Sequence, residues 1–126
     1  GYLHMHVFPF SPKGGTAAAR WRDQFVPEPV KRSRVRRLIE MECGPEDGLA
    51  VRYRRQLMGR RVRVMLEQRD RRDPAWMTGR CDHYALVHLR SDLPRGRLVD
   101  AEIMDVTPER TVGEVVDARL ALPVVE

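Results

Sequence analysis

The sequence predicts an α+β fold, in which one strand and two helices precede a small antiparallel β-barrel. Three observations predict this fold. Residues 3–10 alternate like a strand, and residues 29–58 carry apolar side chains at helical spacing. After Gly59 the apolar side chains recur at every second residue, as they do in half-buried strands. The 126 residues suffice for one ordinary domain, or for one domain and a part of another.

The composition is that of a folded protein. Hydrophobic residues make up 42% and charged residues 33% of the chain, a balance typical of a folded rather than a disordered chain. No apolar run approaches the ~20 residues of a membrane span, and no signal peptide is visible. The only cysteines, Cys43 and Cys81, indicate cytoplasmic thiols rather than a disulfide framework.

The first segment, residues 4–10, alternates between two apolar faces if it is extended. His4, His6, Phe8 and Phe10 share one face, and Met5, Val7 and Pro9 share the other. Apolar groups on both faces indicate a strand buried on both sides, as in a parallel sheet or barrel. His4 and His6 could bind a metal, but packing in a barrel explains them better, so no metal site is predicted. A turn over residues 11–16 follows.

Two helices follow the turn. Pro29 suits the first turn of a helix over residues 29–42, in which Val35, Leu38 and Ile39 form an apolar stripe. Gly44 and Pro45 end it. A second helix is predicted over residues 46–58, with Gly59 at its C-terminal cap. Its expected buried face consists of Leu49, Ala50, Tyr53 and Leu57.

Four strands are predicted after Gly59. They cover residues 61–67, 82–90, 98–107 and 112–122, with a loop over residues 69–74 and a bulge near Ile103 and Met104. In the last strand, one face is expected to carry Val116, Ala118, Leu120 and Leu122. Four or five short antiparallel strands in about 65 residues indicate a closed barrel of the oligonucleotide-binding (OB) kind.

The charge distribution suggests a nucleic-acid partner. Residues 52–98 contain 13 basic and 5 acidic residues, whereas residues 99–126 contain 2 basic and 7 acidic ones, so one basic face is expected. Guanidinium groups match phosphates, and Tyr or His rings stack on unpaired bases. The alternative is a solvated arginine-rich surface with Tyr84 in the core. The candidate RNA-binding residues are Arg60, Arg61, Arg63, Arg80, His83, Tyr84, Arg95 and Arg97.

Longer stretches resemble a known family. HVFPFSPKGGTAA (residues 6–18) resembles the closing strand and turn of the radical S-adenosylmethionine (SAM) barrel in tRNA methylthiotransferases, and VKRSRVRRLIEM (residues 30–41) resembles the helix after it. LMGRRVRVMLEQ, MTGRCDHYALVHL and GRLVDAEIMDV resemble the TRAM domain, the RNA-binding barrel that ends these enzymes. One departure is Lys13-Gly14-Gly15-Thr16, where the family commonly has Arg-Pro-Gly-Thr; lysine keeps the charge but lacks the guanidinium fork.

The resemblance implies a division of the chain. Residues 1–45 would be the incomplete C-terminal end of the radical SAM α/β barrel, residues 46–59 a linking helix, and residues 60–123 the TRAM barrel. Phe10, Ser11, Lys13 and Thr16 would lie at the edge of the SAM or substrate pocket of the complete enzyme.

The resemblance also implies an activity for the parent enzyme. The resemblance suggests the branch that adds a methylthio group to C2 of N6-threonylcarbamoyladenosine at position 37 of tRNA, using SAM and two 4Fe-4S clusters. The family holds its radical cluster with a CxxxCxxC triplet, which this chain lacks, so the chain by itself is expected to be inactive and to hold no cofactor. The expected partner is the anticodon arm of tRNA, bound by a cytoplasmic monomer.

Two other functions stay open. The chain could be a free-standing RNA-binding β-barrel without enzymatic activity. Alternatively, the basic helix over residues 29–42 could be a protein-docking element. Salt distinguishes RNA binding from protein docking, because phosphate binding weakens steeply as salt rises.

Overall fold

The computed structural model describes residues 3–44, 46 and 48–118. Residues 4–10, predicted as a strand, form neither helix nor strand. The side chains do alternate, because Leu3, Met5 and Val7 are half-buried while His4, His6 and Phe8 are exposed. The predicted burial of both faces is therefore wrong for the described residues. Two short 3-10 helices, Ala18–Arg20 and Arg22–Gln24, lead to the first α-helix.

Helix α1 spans Glu28–Cys43 and confirms the first predicted helix. Pro27 is its N-cap, Pro29 lies in its first turn, and the N–H of Gly44 donates to the Glu40 carbonyl at its end. The predicted apolar stripe is poorly covered: Val35 is half-buried, but Leu38 and Ile39 are 41% and 47% exposed. The predicted stop at Pro45 lies outside the described residues.

Helix α2 is shorter than predicted. It spans Leu49–Arg55 and continues as turns to Gly59, which has φ +68° and donates its N–H to the Ile103 carbonyl. Leu57 is buried as predicted, but the other buried side chain is Val51, whereas Leu49, Ala50 and Tyr53 are half-buried. No helix within the described ranges combines the length and apolar character needed to cross a membrane.

Five strands form a closed barrel in the order β1-β2-β3-β5-β4. They are β1 Arg61–Arg69, β2 Trp76–Cys81, β3 Leu86–Arg90, β4 Leu98–Val106 and β5 Thr111–Asp117. Closure leaves no open sheet edge. The observed fold is thus α+β with a small barrel, as predicted, although β3 and β5 pair in parallel rather than antiparallel.

The predicted strand over residues 82–90 is wrong in its first half. Residues 82–85 form a turn between β2 and β3, because Tyr84 has φ +63°, which no strand residue adopts. The missed strand β2 contains Gly79, which weakens a strand pattern in the sequence. A Cβ at Gly79 would lie 2.0 Å from the Met65 carbonyl oxygen, so only glycine lets β1 and β2 approach this closely.

The last two strands are correct in place but not in detail. The register of β4 against β5 shifts between Ile103 and Asp105, which confirms the predicted bulge. In β5, Thr111 and Gly113 face the core, while Val116 is 51% exposed, so the predicted inward face is wrong. Ala118 is also exposed, and Leu120 and Leu122 lie outside the described residues.

The core lies inside the barrel and continues to the end of α2. Its buried apolar side chains come mainly from β1–β4 and include the fully buried Val64, Val87, Leu89 and Val99, with Leu57 added from the turn after α2. Strand β5 contributes the partly buried Val115. Leu3 packs against this core, so the N-terminal segment (residues 3–10) contacts the barrel.

Candidate nucleic-acid interface

The outer face of the β2–β3 hairpin carries basic and aromatic side chains. The cross-strand pairs on this face are Trp76 with Arg90, Thr78 with His88, and Arg80 with Leu86. The residues between them, such as Met77 and Leu89, are buried in the barrel. The Arg90 guanidinium lies 5.4 Å from the centroid of the Trp76 ring, which is a cation–π contact. This face therefore offers rings for stacking and guanidinium groups for phosphates.

Tyr84 projects from the tip of this hairpin. Its side chain is 79% exposed, so Tyr84 is not a core residue. Its N–H donates to the Cys81 carbonyl at 2.8 Å, and the Cys81 N–H donates to the Ala85 carbonyl at 3.0 Å, which closes the turn. The Tyr53 hydroxyl, on α2, donates to the His83 carbonyl at 3.3 Å. A non-glycine residue at positive φ stores backbone strain, and such strain concentrates at functional sites.

Two arginine clamps fix the loops on either side of this face. Arg69 donates to the carbonyls of Pro74, Ser91 and Leu93 at 2.5, 3.0 and 2.9 Å, and so ties the β1–β2 loop to the β3–β4 loop. Arg54, on α2, donates to the carbonyls of Thr107 and Pro108 at 2.9 and 2.8 Å, in the β4–β5 loop. These loops are therefore positioned before any ligand binds.

A groove of about 360 Å³ lies between the hairpin, α2 and the N-terminal segment. Its basic lining residues are His4, Arg54, Arg80, His88 and Arg110, and its acidic ones are Glu42 and Glu109. Burial lowers the pKa of His88, and the nearby positive charge of Arg110 lowers it further, while Asp70 opposes both effects. The neutral form of His88 is therefore favoured over the protonated form.

Strand β1, which pairs with β2 of the hairpin, has a different charge pattern. Arg61 and Arg63 point outward from β1, as predicted, but each faces the buried carboxylate of Asp100. The distances are 3.5 Å from Arg61 Nη2 and 3.4 Å from Arg63 Nε, and Arg61 also lies 3.7 Å from Asp117. Acidic residues thus offset the charge of these two arginines.

The eight predicted residues lie on three parts of the barrel. The structure brings Arg80, His83 and Tyr84 together at the end of the β2–β3 hairpin. Arg60 and the two arginines of β1 lie at the start of β1, between β4 and the end of the hairpin, where the Asp82 N–H donates to the Arg63 carbonyl at 2.9 Å. Arg95 and Arg97 flank Gly96 in the β3–β4 turn; Arg97 is half-buried, and its Nε has no hydrogen-bond partner among the described residues.

Four residues of the basic and aromatic face were missed by the sequence reasoning: Trp76, His88, Arg90 and Arg110. A signal was present for the first three. Trp76, Thr78 and Arg80 alternate, and so do His88 and Arg90, as outward residues of a strand do. Nothing in the sequence places Arg110 beside them, since it lies on a loop brought there by the parallel pairing of β3 and β5.

The predicted pocket-edge residues lie in one exposed turn. The Thr16 hydroxyl donates to the Lys13 carbonyl at 2.8 Å, and Lys31 Nζ, on α1, donates to the Phe10 carbonyl at 3.1 Å. Ser11 is exposed with them. Beside this turn lies an apolar groove of about 470 Å³, whose lining includes Val7, Phe8, Trp21, Phe25, Val35 and Leu38.

The cysteines do not fit an iron–sulfur cluster. Cys43 is exposed at the end of α1, whereas Cys81 is buried in the barrel, where burial raises the pKa of its thiol. A cluster of the expected kind needs three cysteines close together, and the whole chain has two. Within the described ranges, no three His, Cys, Asp or Glu side chains are grouped to hold a metal ion. His4 and His6 instead contact each other edge to face, and His4 Nδ1 hydrogen-bonds with Glu42.

Comparison with known proteins identifies methylthiotransferases, although no family model matches the chain. The ribosomal protein uS12 methylthiotransferase RimO of Synechococcus sp. (strain JA-3-3Ab) is 37% identical over 120 residues, which cover 91% of this chain and 25% of the relative. The tRNA-2-methylthio-N(6)-dimethylallyladenosine synthase of Stutzerimonas stutzeri (strain A1501) is 31% identical over 117 residues, covering 90% of this chain and 25% of the relative. The synthase of the same name from Protochlamydia amoebophila (strain UWE25) is 38% identical over 79 residues, or 63% of this chain and 16% of the relative.

The chain spans about a quarter or less of the length of these curated relatives. Neither name is that of the threonylcarbamoyladenosine branch expected from the sequence. Over about nine-tenths of its length, the chain is homologous to the C-terminal region of methylthiotransferases of two kinds, the uS12 methylthiotransferase RimO and the tRNA-2-methylthio-N(6)-dimethylallyladenosine synthase.

Proposed function

We propose that the chain is the C-terminal, RNA-binding part of a methylthiotransferase. In this proposal, residues 1–45 end the radical SAM domain, residues 46–59 link the two parts, and residues 60–123 form the TRAM barrel. Homology over 91% of this chain, against 25% of the relative, supports a part of a larger enzyme. The apolar groove beside Phe8 and Trp21 supports a surface that the rest of the radical SAM domain covers.

The outer face of the β2–β3 hairpin is the observation that carries RNA binding. It combines the Trp76–Arg90 stack with Arg80 and the exposed ring of Tyr84. Five-stranded barrels of this topology bind oligonucleotides on the β2–β3 face, between the β1–β2 and β4–β5 loops. Here both of those loops are fixed by arginine clamps, so the face is ready to bind without rearrangement.

The proposed substrate of the complete enzyme is the anticodon arm of tRNA. The barrel would grip the arm while the radical SAM domain adds a methylthio group to C2 of N6-threonylcarbamoyladenosine at position 37. SAM and the two 4Fe-4S clusters would supply the radical chemistry from the rest of the enzyme. Phe10, Ser11, Lys13 and Thr16 would contribute to the edge of the SAM or substrate pocket. We further propose that the parent enzyme acts in the cytoplasm as a monomer.

A second candidate is modification of a ribosomal protein. The relative named for ribosomal protein uS12 favours it, because its alignment covers 91% of this chain at 37% identity. In that case a protein would bind to the chain in place of tRNA. The basic and aromatic face of the hairpin favours the RNA candidate, since guanidinium groups and exposed rings match phosphates and unpaired bases.

Titration of the 126-residue chain with fluorescently labelled tRNA tests the proposal. The double variant Arg80→Gln and Arg90→Gln removes two charges from the hairpin face, and we expect it to weaken tRNA binding about tenfold or more. The matched control, Arg60→Gln and Arg61→Gln, removes two charges near β1 and leaves Arg63 to pair with Asp100. We expect a loss of about threefold or less from this control, since Asp100 and Asp117 already offset Arg61.

Salt and a competing ligand complete the experiment. The tRNA affinity of the unchanged chain should fall as salt rises, with a slope of roughly −0.7 to −0.9 for each neutralised phosphate. Equal losses from the two double variants would contradict the proposed face. Affinity for uS12 but none for tRNA would replace the RNA candidate with the ribosomal-protein candidate.

A further inference from the structure

We propose that the groove between the N-terminal segment and the hairpin binds one unpaired nucleotide of the RNA, with its base on Tyr84 and its phosphate between Arg80 and Arg110. This inference rests on the proposed RNA-binding function and adds a specific binding position to it. The groove is lined from five directions: the N-terminal segment, both helices, the hairpin and the β4–β5 loop. Its volume, about 360 Å³, is in the range of small-molecule sites.

Two arginines of the groove lining can bind a phosphate, because the other charged residues there already have partners. Glu42 is buried and accepts hydrogen bonds from His4 Nδ1 and from the Met5 N–H, so its carboxylate is already used. Arg54 already donates hydrogen bonds to the β4–β5 loop. Burial lowers the pKa of Arg54, and the nearby carboxylate of Glu109, which balances its charge in part, raises it.

Arg80 and Arg110 have no comparable commitments. Arg80 Nε lies 3.9 Å from Glu67 Oε1, a distant contact between two exposed side chains. Among the residues that the structure describes, Arg110 makes no ion pair with an acid. Arg110 and His88 line the same groove. Burial lowers the pKa of His88, and the positive charge of Arg110 lowers it further. An anion between Arg80 and Arg110 would relieve this accumulation of positive charge.

Tyr84 favours an unpaired base over a duplex. Its ring is 79% exposed, and the neighbouring Leu86 is 42% exposed, so the two form an apolar platform at the rim of the groove. Stacking of a base on an aromatic side chain stabilises single-stranded binding by about 1–3 kcal/mol and needs an unstacked base. The strained turn holds the ring in this position before the RNA arrives.

The position of the groove links the two parts of the chain. The His4–Glu42 hydrogen bond and the packing of Leu3 against the barrel core hold the N-terminal segment in place as one wall. A nucleotide in the groove therefore contacts both the barrel and the segment that is proposed to end the radical SAM domain. The bound RNA would thus be positioned relative to the catalytic part, and not only held by the barrel.

Fluorescence anisotropy of the 126-residue chain with a labelled single-stranded oligouridine and with a blunt RNA duplex of equal length tests the inference. Tyr84→Asn removes the ring but tolerates positive φ, and we expect it to weaken single-strand binding about tenfold. The control Tyr84→Phe keeps the ring and should stay within about twofold. Arg110→Gln should weaken binding and reduce the salt slope by about 0.7, whereas its control Arg95→Gln, in the β3–β4 turn, should have a smaller effect on both.

The outcomes separate this inference from the proposed function. Unchanged single-strand affinity in Tyr84→Asn, with tRNA binding still lost in the Arg80 and Arg90 double variant, would overturn the nucleotide groove alone. An equal loss for duplex and single strand would also overturn it. If the unchanged chain binds neither tRNA nor oligouridine, both the groove and the RNA-binding function fail. Urea denaturation of each variant shows whether a loss of binding reflects a loss of folding.

Discussion

At the scale of single residues, Gly79 is the position where the barrel tolerates least change. A Cβ there would lie 2.0 Å from the Met65 carbonyl oxygen and 2.9 Å from Val64 Cγ1, so β1 and β2 would have to separate. We expect Gly79→Ala to lower the free energy of unfolding by about 3 kcal/mol, as overpacking of a core does. Urea denaturation measures this change. Gly14→Ala is the control, since no atom lies within 4 Å of the added Cβ; equal effects of the two changes would refute the steric explanation.

The charged neighbours of an individual arginine could not be predicted from the sequence. The alternation around Arg61 and Arg63 correctly placed both side chains outside the barrel. It could not show that Asp100, 37 residues after Arg63, lies opposite them on β4. Whether an arginine can attract a phosphate depends on such neighbours across strands, and their identity follows from register, which the sequence of one strand does not contain.

At the scale of elements, the sequence was most informative where a pattern was long and regular. Helix α1, strand β1 and the bulged strand β4 were predicted within two residues at each end. Strand β2 was missed because Gly79 interrupts its pattern. The start of β3 was predicted too early because the sequence does not show the turn at Tyr84. The wrong face of β5 was predicted to point inward, because a glycine gives no apolar signal in the sequence. Gly113 faces the core, where a Cβ would lie 3.0 Å from Val87 Cγ1.

The arginine clamp between two loops is testable at this scale. We expect Arg69→Lys to lower the free energy of unfolding by about 2 kcal/mol, because an ammonium group cannot reach the carbonyls of Pro74, Ser91 and Leu93 together. Hydrogen exchange should accelerate in residues 70–75 and 91–93. Arg71→Lys, an exposed position in the same loop, is the control and should change stability by less than about 0.5 kcal/mol. Unchanged exchange in Arg69→Lys would mean that the clamp does not restrain the loops.

At the scale of the whole molecule, stability is unevenly distributed. The barrel closes on itself, and most of its apolar side chains are nearly inaccessible. Residues 3–44 instead expose large apolar side chains, among them Phe8 at 81% and Trp21 at 54%. The same contrast agrees with the proposed function, in which the barrel is complete and the N-terminal part has a surface for the rest of the enzyme.

This contrast predicts the order of proteolysis. Residues 11–24 have only turns and two single-turn helices, so their backbone can open locally and enter the active site of a protease. A cut in the barrel instead requires strands to separate. We expect trypsin to cut after Lys13 and Arg20 before it cuts after Arg61 or Arg80, as mass spectrometry of a time course would show. Cuts after Arg71 provide an internal comparison, since that loop is exposed but restrained by hydrogen bonds from the Arg72 and Asp73 N–H groups to Asp70. Initial cleavage at Arg61 or Arg80 would mean that the barrel opens as readily as the N-terminal part, and the division of the chain into a complete and a dependent half would be wrong.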